Sequence, residues 1–178
     1  ILITPSGFAK GRLRPDQMAR IDLEGRILEG NPSGERDMHL AIYRSCAKAR
    51  AVVHAHPPHA VAWSLARPDL AELPADSMSE VILGAGKIPI VPYARPTTAQ
   101  MGESLAPFLP ASRALILARH GAVCWGESLE EALNGMERLE HSAQILWLAE
   151  SLGGAKPLPL AEVAVLKEMR KKIGDRLL

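Results

Sequence analysis

Apolar positions along the chain alternate between two periods. Over residues 128–153, SLEEALNGMERLEHSAQILWLAESLG, the residues Ala132, Met136, Leu139, Ala143, Leu146 and Trp147 recur at helical spacing and mark one buried stripe of a long helix. Ser128 and Glu131 stand ahead of that stripe as a capping-box pair. A second helix is predicted over residues 34–47, with Ser33 as its N-cap and Met38, Ala41, Ile42 and Ser45 in register. A third spans 98–109 on Met101, Leu105 and Phe108, and a fourth covers HAVAWSLA after two prolines. The last covers LPLAEVAVLKEMRKKIGD. Shorter runs read as strands. ILIT leads into the turn PSG, AVVHAH alternates, and RALILARHG and AVCWG flank a glycine turn. KIPIVPY (87–93) carries two prolines, which confine it to an edge or margin of a sheet. Links between successive strands are short, so the expected α/β fold has a sheet with antiparallel pairs, covered by helices.

The bulk properties narrow the function classes. A chain of 178 residues, 47% hydrophobic and 23% charged, is expected to form one globular domain with a full core. A net charge of +1 supplies no basic stripe for nucleic acid, and the local cluster KEMRKK (167–172) reads as a solvated helix face. Cys46 and Cys124 read as small core hydrophobes in a reducing compartment. No apolar run approaches the ~18 residues of a membrane span, and no signal peptide is evident. A cytoplasmic protein is therefore expected, with no membrane and no nucleic-acid partner.

Candidate chemistry begins at AVVHAHPPHA (51–60). In a strand, His54 and His56 project from the same face, and two such imidazoles can reach one divalent ion at ~2.0–2.1 Å. Taken alone, the pair fits a metal site and two hydrogen-bonded histidines at a strand end equally well. His120 ends another apolar strand, next to Gly121, and is placed to be a third ligand. Three histidines leave a coordination position open, as catalytic zinc sites do, although cobalt, nickel and manganese also suit imidazole. Glu35, in the first turn of its helix, is a further candidate ligand or base, and equally a helix-start acid favoured by the dipole. His39, His59 and His141 have no partner at ligand spacing and read as surface or supporting residues.

Together these segments resemble the class II aldolase and adducin head-domain family over essentially the whole chain. LITPSG is similar to the family's early strand and turn, PSGERDMHLAIY to its catalytic-acid segment, and AVVHAHPPHAVA to its His-x-His strand. VPYARPTTAQMGESLA resembles its tyrosine segment, and LARHGAVCWGESLEEALNGMERLEHSAQI its third-ligand strand and long helix. The resemblance implies a three-layer α/β/α fold with a mainly antiparallel central sheet, and a single domain over residues 1–178 that lacks the family's N-terminal helix and first strand. It implies zinc on His54, His56 and His120, with Glu35 as the fourth ligand and as the proton-transfer group once substrate displaces it. Tyr93 would reach the site of a neighbouring subunit and protonate an aldehyde oxygen, in a homotetramer with sites between subunits.

The implied reaction is a retro-aldol C3–C4 cleavage of a ketose 1-phosphate such as L-fuculose 1-phosphate, giving dihydroxyacetone phosphate and an aldehyde through a metal-stabilised enediolate. Substrate phosphate would lie on Ser6, Gly7, Ser33 and Gly34. Gly34 stands where the family's sugar-phosphate aldolases carry serine, and Thr97–Thr98 where they carry Gly-Thr. Pentulose-phosphate 4-epimerase, dehydratase and decarboxylase activities share the scaffold and are the alternatives. A non-enzymatic adducin-like interaction module is another, disfavoured by an intact set of ligands.

Overall fold

Short apolar alternations build the first part of the chain. In this computed structural model, which describes residues 1–178, Leu2–Ile3 (β1), Ala19–Ile21 (β2) and Ile27–Glu29 (β3) form an antiparallel sheet in the order β1-β2-β3. Ile3, Ala19 and Ile21 turn inward and meet Leu40. That residue lies on α1 (Arg36–Ser45), which starts two residues later than the pattern predicts and buries Met38, Leu40 and Ile42. Ser33 is not the N-cap. That position belongs to Glu35, while the Ser33 hydroxyl accepts a hydrogen bond from the Glu35 N–H at 3.3 Å. Helix α4 (Ala99–Glu103) is a short piece of the segment predicted over 98–109. A side chain on Gly102 would sit 2.9 Å from the Asp37 carbonyl oxygen, so α1 and α4 approach closely only because that residue is glycine. These elements make one unit, Ile1–Ala47 with Ala94–Pro107.

The second unit, Lys48–Tyr93 with Phe108–Leu178, contains the larger sheet. Its strands Ala51–Ala55 (β4), Ile90–Val91 (β5), Ala114–Leu117 (β6) and Gly121–Gly126 (β7) lie in the order β4-β7-β6-β5. The β4–β7 and β7–β6 pairs are antiparallel and the β6–β5 pair is parallel. The sheet is thus mainly antiparallel, as predicted, but the strands of the chain are divided between two sheets. β5 is an edge strand, as its flanking prolines require. Helices α2 (Pro58–Ala66) and α5 (Leu129–Ser151) pack on one face, where Ala60, Trp63, Met136, Leu139, Ala143 and Leu146 meet Ala114, Ile116, Ala122 and Cys124. Burial pushes the Cys124 thiol well above its ordinary range, so it serves as a packing residue. Trp147 departs from the predicted stripe and is 53% exposed. Helices α3 (Ser79–Gly84) and α6 (Leu160–Ile173) form a smaller cluster through Ile82, Val163 and Leu166.

An ion network closes this unit around the start of α5. Arg113 is 1% exposed and reaches Glu127, Glu131 and Asp175 at 2.9 Å each, with its guanidinium 4.3 Å above the Trp125 ring. The Ser128 side chain accepts from the Glu131 N–H, as the capping box predicts. The other half of the box differs: the Glu131 carboxylate accepts from Glu127 N–H and Leu177 N–H. The hydrogen bond from Arg113 holds the Glu127 carboxyl below its ordinary range. For Asp175, burial opposes the charge but the Arg113 and Lys48 contacts outweigh it, so its pKa is also lowered. A carboxyl whose folded pKa is depressed adds stability above its unfolded pKa and loses it as pH falls through the folded value. Thermal stability is expected to decline as pH drops below the ordinary carboxylate range. Arg113→Met should flatten that decline and cost about 3–5 kcal/mol at neutral pH, by stranding the buried Glu131 carboxylate. Urea unfolding across the pH range checks both statements.

Candidate metal centre

The end of β4 and the β6–β7 turn bring the predicted histidines together. Val53 and Ala55 face the main core, which turns His54 to the opposite face by strand alternation. The last ladder pair of β4 is Ala55 with Ala122, so His56 sits just past the strand and is exposed. His120 occupies the turn between β6 and β7, its N–H donating to the Leu117 carbonyl at 3.0 Å. The ring centroids of His54 and His56 are 4.9 Å apart, those of His54 and His120 5.1 Å, and those of His56 and His120 4.9 Å. One ring nitrogen from each of the three lies within 4.8 Å of the others.

This donor set suits a divalent transition ion. The Nδ1 of His54 lies 2.8 Å from the Ala122 carbonyl oxygen. A carbonyl only accepts, so Nδ1 carries the proton and Nε2 keeps its lone pair for a ligand. That is the outer hydrogen bond by which proteins fix a metal-binding imidazole. One borderline-soft nitrogen from a strand face and two more from the adjoining chain turns match zinc and its neighbours better than magnesium or calcium, which take oxygen.

Gly121 is what lets the rings approach. A Cβ there would lie 2.5 Å from the Ala55 carbonyl oxygen, 3.0 Å from His54 Cε1 and 3.1 Å from His56 Cδ2. Gly121→Ala is therefore expected to push β4 from β7, lower stability by about 1–3 kcal/mol and reduce bound metal. Urea unfolding and metal analysis of the purified variant check this together. In the sequence Gly121 marks only a turn, because the crowding comes from β4, far away in the chain.

The remaining predicted residues fall into two groups. In the first unit, the residues named for phosphate are adjacent. Pro5 bridges Pro32, the Ser6 N–H donates to Asn31 O at 3.0 Å, and the Ser33 N–H donates to Thr4 O at 3.0 Å. Gly7 has φ +78°, a turn conformation that favours glycine. Thr97, at φ +63°, brings its methyl to within 3.1 Å of where a Gly34 Cβ would stand. Glu35 belongs to this unit and is half-buried. Tyr93, in the other unit just after β5, is 57% exposed. Of the histidines set aside, His59 does have a partner: its Nδ1 lies 2.7 Å from Glu140 Oε1. His141 is on the exposed side of α5.

Fold and site together define an α/β protein with room for one divalent ion on three imidazoles. The family model for the class II aldolase and adducin N-terminal domain matches residues 1–147, and the chain belongs to that family. The 3-oxo-tetronate 4-phosphate decarboxylase of Escherichia coli strain K12 is 34% identical over 176 residues, covering 96% of this chain and 79% of the relative. The L-fuculose phosphate aldolase of Escherichia coli O157:H7 is 36% identical over 182 residues, covering 99% of this chain and 82% of the relative. Among solved structures, L-fuculose-1-phosphate aldolase from Thermus thermophilus superposes with a TM-score of 0.76 at 38% identity, covering 89% of this chain and 82% of that one. No helix of the chain is long and apolar enough to cross a membrane.

Proposed function

We propose that this chain is a metal-dependent carbon–carbon lyase that decarboxylates a 3-oxo sugar-acid phosphate, with 3-oxo-tetronate 4-phosphate as the test substrate. The observation that carries the proposal is the 34% identity to the Escherichia coli decarboxylase over 96% of this chain. It adjusts the expectation of a retro-aldol cut while keeping the site. His54, His56 and His120 would hold the ion, with Glu35 as fourth ligand at rest, and zinc fits three imidazoles and a carboxylate. A metal bound there supplies Lewis-acid polarisation of a neighbouring hydroxyl and carbonyl.

The chain's own groups then handle the proton and the phosphate. The Gly7 and Gly34 N–H groups, with the Ser6 and Ser33 hydroxyls, would receive the phosphate at the start of α1. In the substrate the C1–C2 bond breaks, its electron pair passes toward the C3 carbonyl, and carbon dioxide leaves. Glu35, displaced from its resting position and protonated from solvent, delivers that proton to C2, and the product is dihydroxyacetone phosphate. No aldehyde forms, so this reaction makes no demand on a tyrosine to move a hydroxyl proton. The exposed phenol of Tyr93 is proposed to reach a neighbouring subunit in a homotetramer, as the family resemblance implies.

The 36% identity to an L-fuculose phosphate aldolase supports a second reading, retro-aldol cleavage of that sugar phosphate, in which Tyr93 would take the C4 hydroxyl proton as the C3–C4 bond breaks and return it to the aldehyde oxygen in the reverse condensation. Both reactions end at dihydroxyacetone phosphate, so the product alone does not separate them. The test is kcat/KM on the two substrates side by side, with carbon dioxide and aldehyde measured separately. Faster turnover of the 3-oxo acid with stoichiometric carbon dioxide supports decarboxylation; faster aldehyde release from L-fuculose 1-phosphate overturns it in favour of the second reading.

A further inference from the structure

His56 lies beyond the last paired residue of β4, so the sheet does not fix its position. Pro57 and Pro58 come next in the chain and lead into α2, whose N-cap is Pro57 and has no capping side chain. Helix starts leave several N–H groups without an intrahelical acceptor, and neither proline side chain can supply one. The acceptor comes from α5. The Glu140 carboxylate takes the N–H groups of His59 and Ala60, with all three N–H to oxygen distances at 3.1 Å. The same carboxylate meets His59 Nδ1 at 2.7 Å. A single side chain thus caps the helix that begins two residues after a proposed ligand.

The far half of α2 engages the other ligand loop. Ser64 is 2% exposed. Its hydroxyl donates to the Val61 carbonyl at 2.7 Å and accepts from the Arg119 N–H at 2.9 Å. Arg119 has φ +62°, a conformation unfavourable for a residue with a Cβ, and it directly precedes His120. Helix α2 therefore links the turn of His56 to the turn of His120, and α5 holds α2 through Glu140 and through Trp63 Nε1, which donates to Ala143 O at 2.9 Å.

We propose that Glu140 and Ser64 are positioning residues for the metal site, Glu140 setting the place of His56 and Ser64 the place of His120, with α2 as the bracket between them. This rests on the metal site of the proposed function and adds residues outside the ligand set. Neither would touch the ion. Their effect is on how well three imidazoles converge; loss of a partner bonded directly to a ligand typically costs about 10–100-fold in metal affinity, and these residues act one step further out.

The test titrates the metal-free protein with Co2+, by competition against a chromophoric chelator, and records the visible spectrum of the bound ion. Glu140→Gln and Ser64→Ala are compared with Leu166→Ala, which loosens α6 at a distance from the ligands. All are measured at a temperature where circular dichroism shows them folded. Glu140→Gln is expected to weaken Co2+ binding by roughly 10-fold, the lower end of the range for partners bonded directly to a ligand, and change the spectrum, Ser64→Ala to act in the same direction, and Leu166→Ala to do neither. Folded Glu140→Gln and Ser64→Ala proteins with wild-type affinity and spectrum would overturn the proposal while leaving the metal site intact. An equal loss in Leu166→Ala would also overturn it, as a general effect of stability. A wild-type protein that binds no Co2+ would remove both the proposal and the metal site. Should Glu140→Gln fail to fold, Ser64→Ala decides alone, since it deletes one hydroxyl.

Discussion

His56→Ala is expected to leave the fold in place and remove most of the bound metal and the activity with it. The residue is exposed and lies outside the β4 ladder, so truncating it opens no cavity in the core. The consequence falls on the site. A four-ligand zinc site is worth about 10–16 kcal/mol in total, and one ligand in four accounts for roughly 3–4 kcal/mol, or 100- to 1,000-fold in affinity. Metal analysis after dialysis, alongside a thermal melt, reads both quantities. An unchanged metal content in the folded variant removes His56 from the ligands. The same substitution at His54 is a poorer probe, because its Nδ1 also bonds Ala122 across the sheet.

Glu35→Gln removes a carboxylate proposed both as a resting ligand and as the proton-transfer group, so it is assayed at saturating metal. Glutamine keeps the shape of the side chain at the N-cap of α1, so apo stability should not change. The amide has no carboxylate base, and a positioned general acid–base is worth about 10²–10⁴-fold in rate. The expected result is a kcat lowered by that factor at saturating metal, with the melting temperature of the metal-free protein unchanged. Full activity in the variant would end the assigned role. Glu35 is half-buried beside the Ser33 turn, and its part in the chemistry is the role that most needs this variant.

The sequence made some of this legible for identifiable reasons. A helix over 128–153 follows from local information alone, since Ser128 and a periodic apolar stripe sit within one segment, and α5 runs Leu129–Ser151. The outward face of His54 on β4 follows from strand alternation, and the edge position of β5 from its prolines. The features that were not legible depend on residues far apart in the chain. Glu131 reads as a capping-box acid, yet its carboxylate accepts from Glu127 N–H, Leu177 N–H and the Arg113 guanidinium. Glu140 looks like one more charge on a long helix until α2 is seen to start beneath it. Trp147 fits the helical stripe by spacing, but the buried arc of α5 is filled by Gly135, Ser142 and the neighbouring aliphatics, leaving the indole half outside. Helix α4 stops early in the segment 98–109, which also holds Pro107; proline removes a helix donor and clashes with the preceding turn.

The decarboxylase and aldolase readings share one step, transfer of a proton between a carboxylate and a carbon next to a polarised ketone. Deuterium exchange into dihydroxyacetone phosphate, followed by NMR with zinc-loaded protein in heavy water, isolates that step without either full substrate. The expected result is stereospecific exchange at one carbon position that stops with chelator and falls in Glu35→Gln. Absence of exchange from a protein carrying one zinc per chain would contradict the shared step and the role of Glu35 in it.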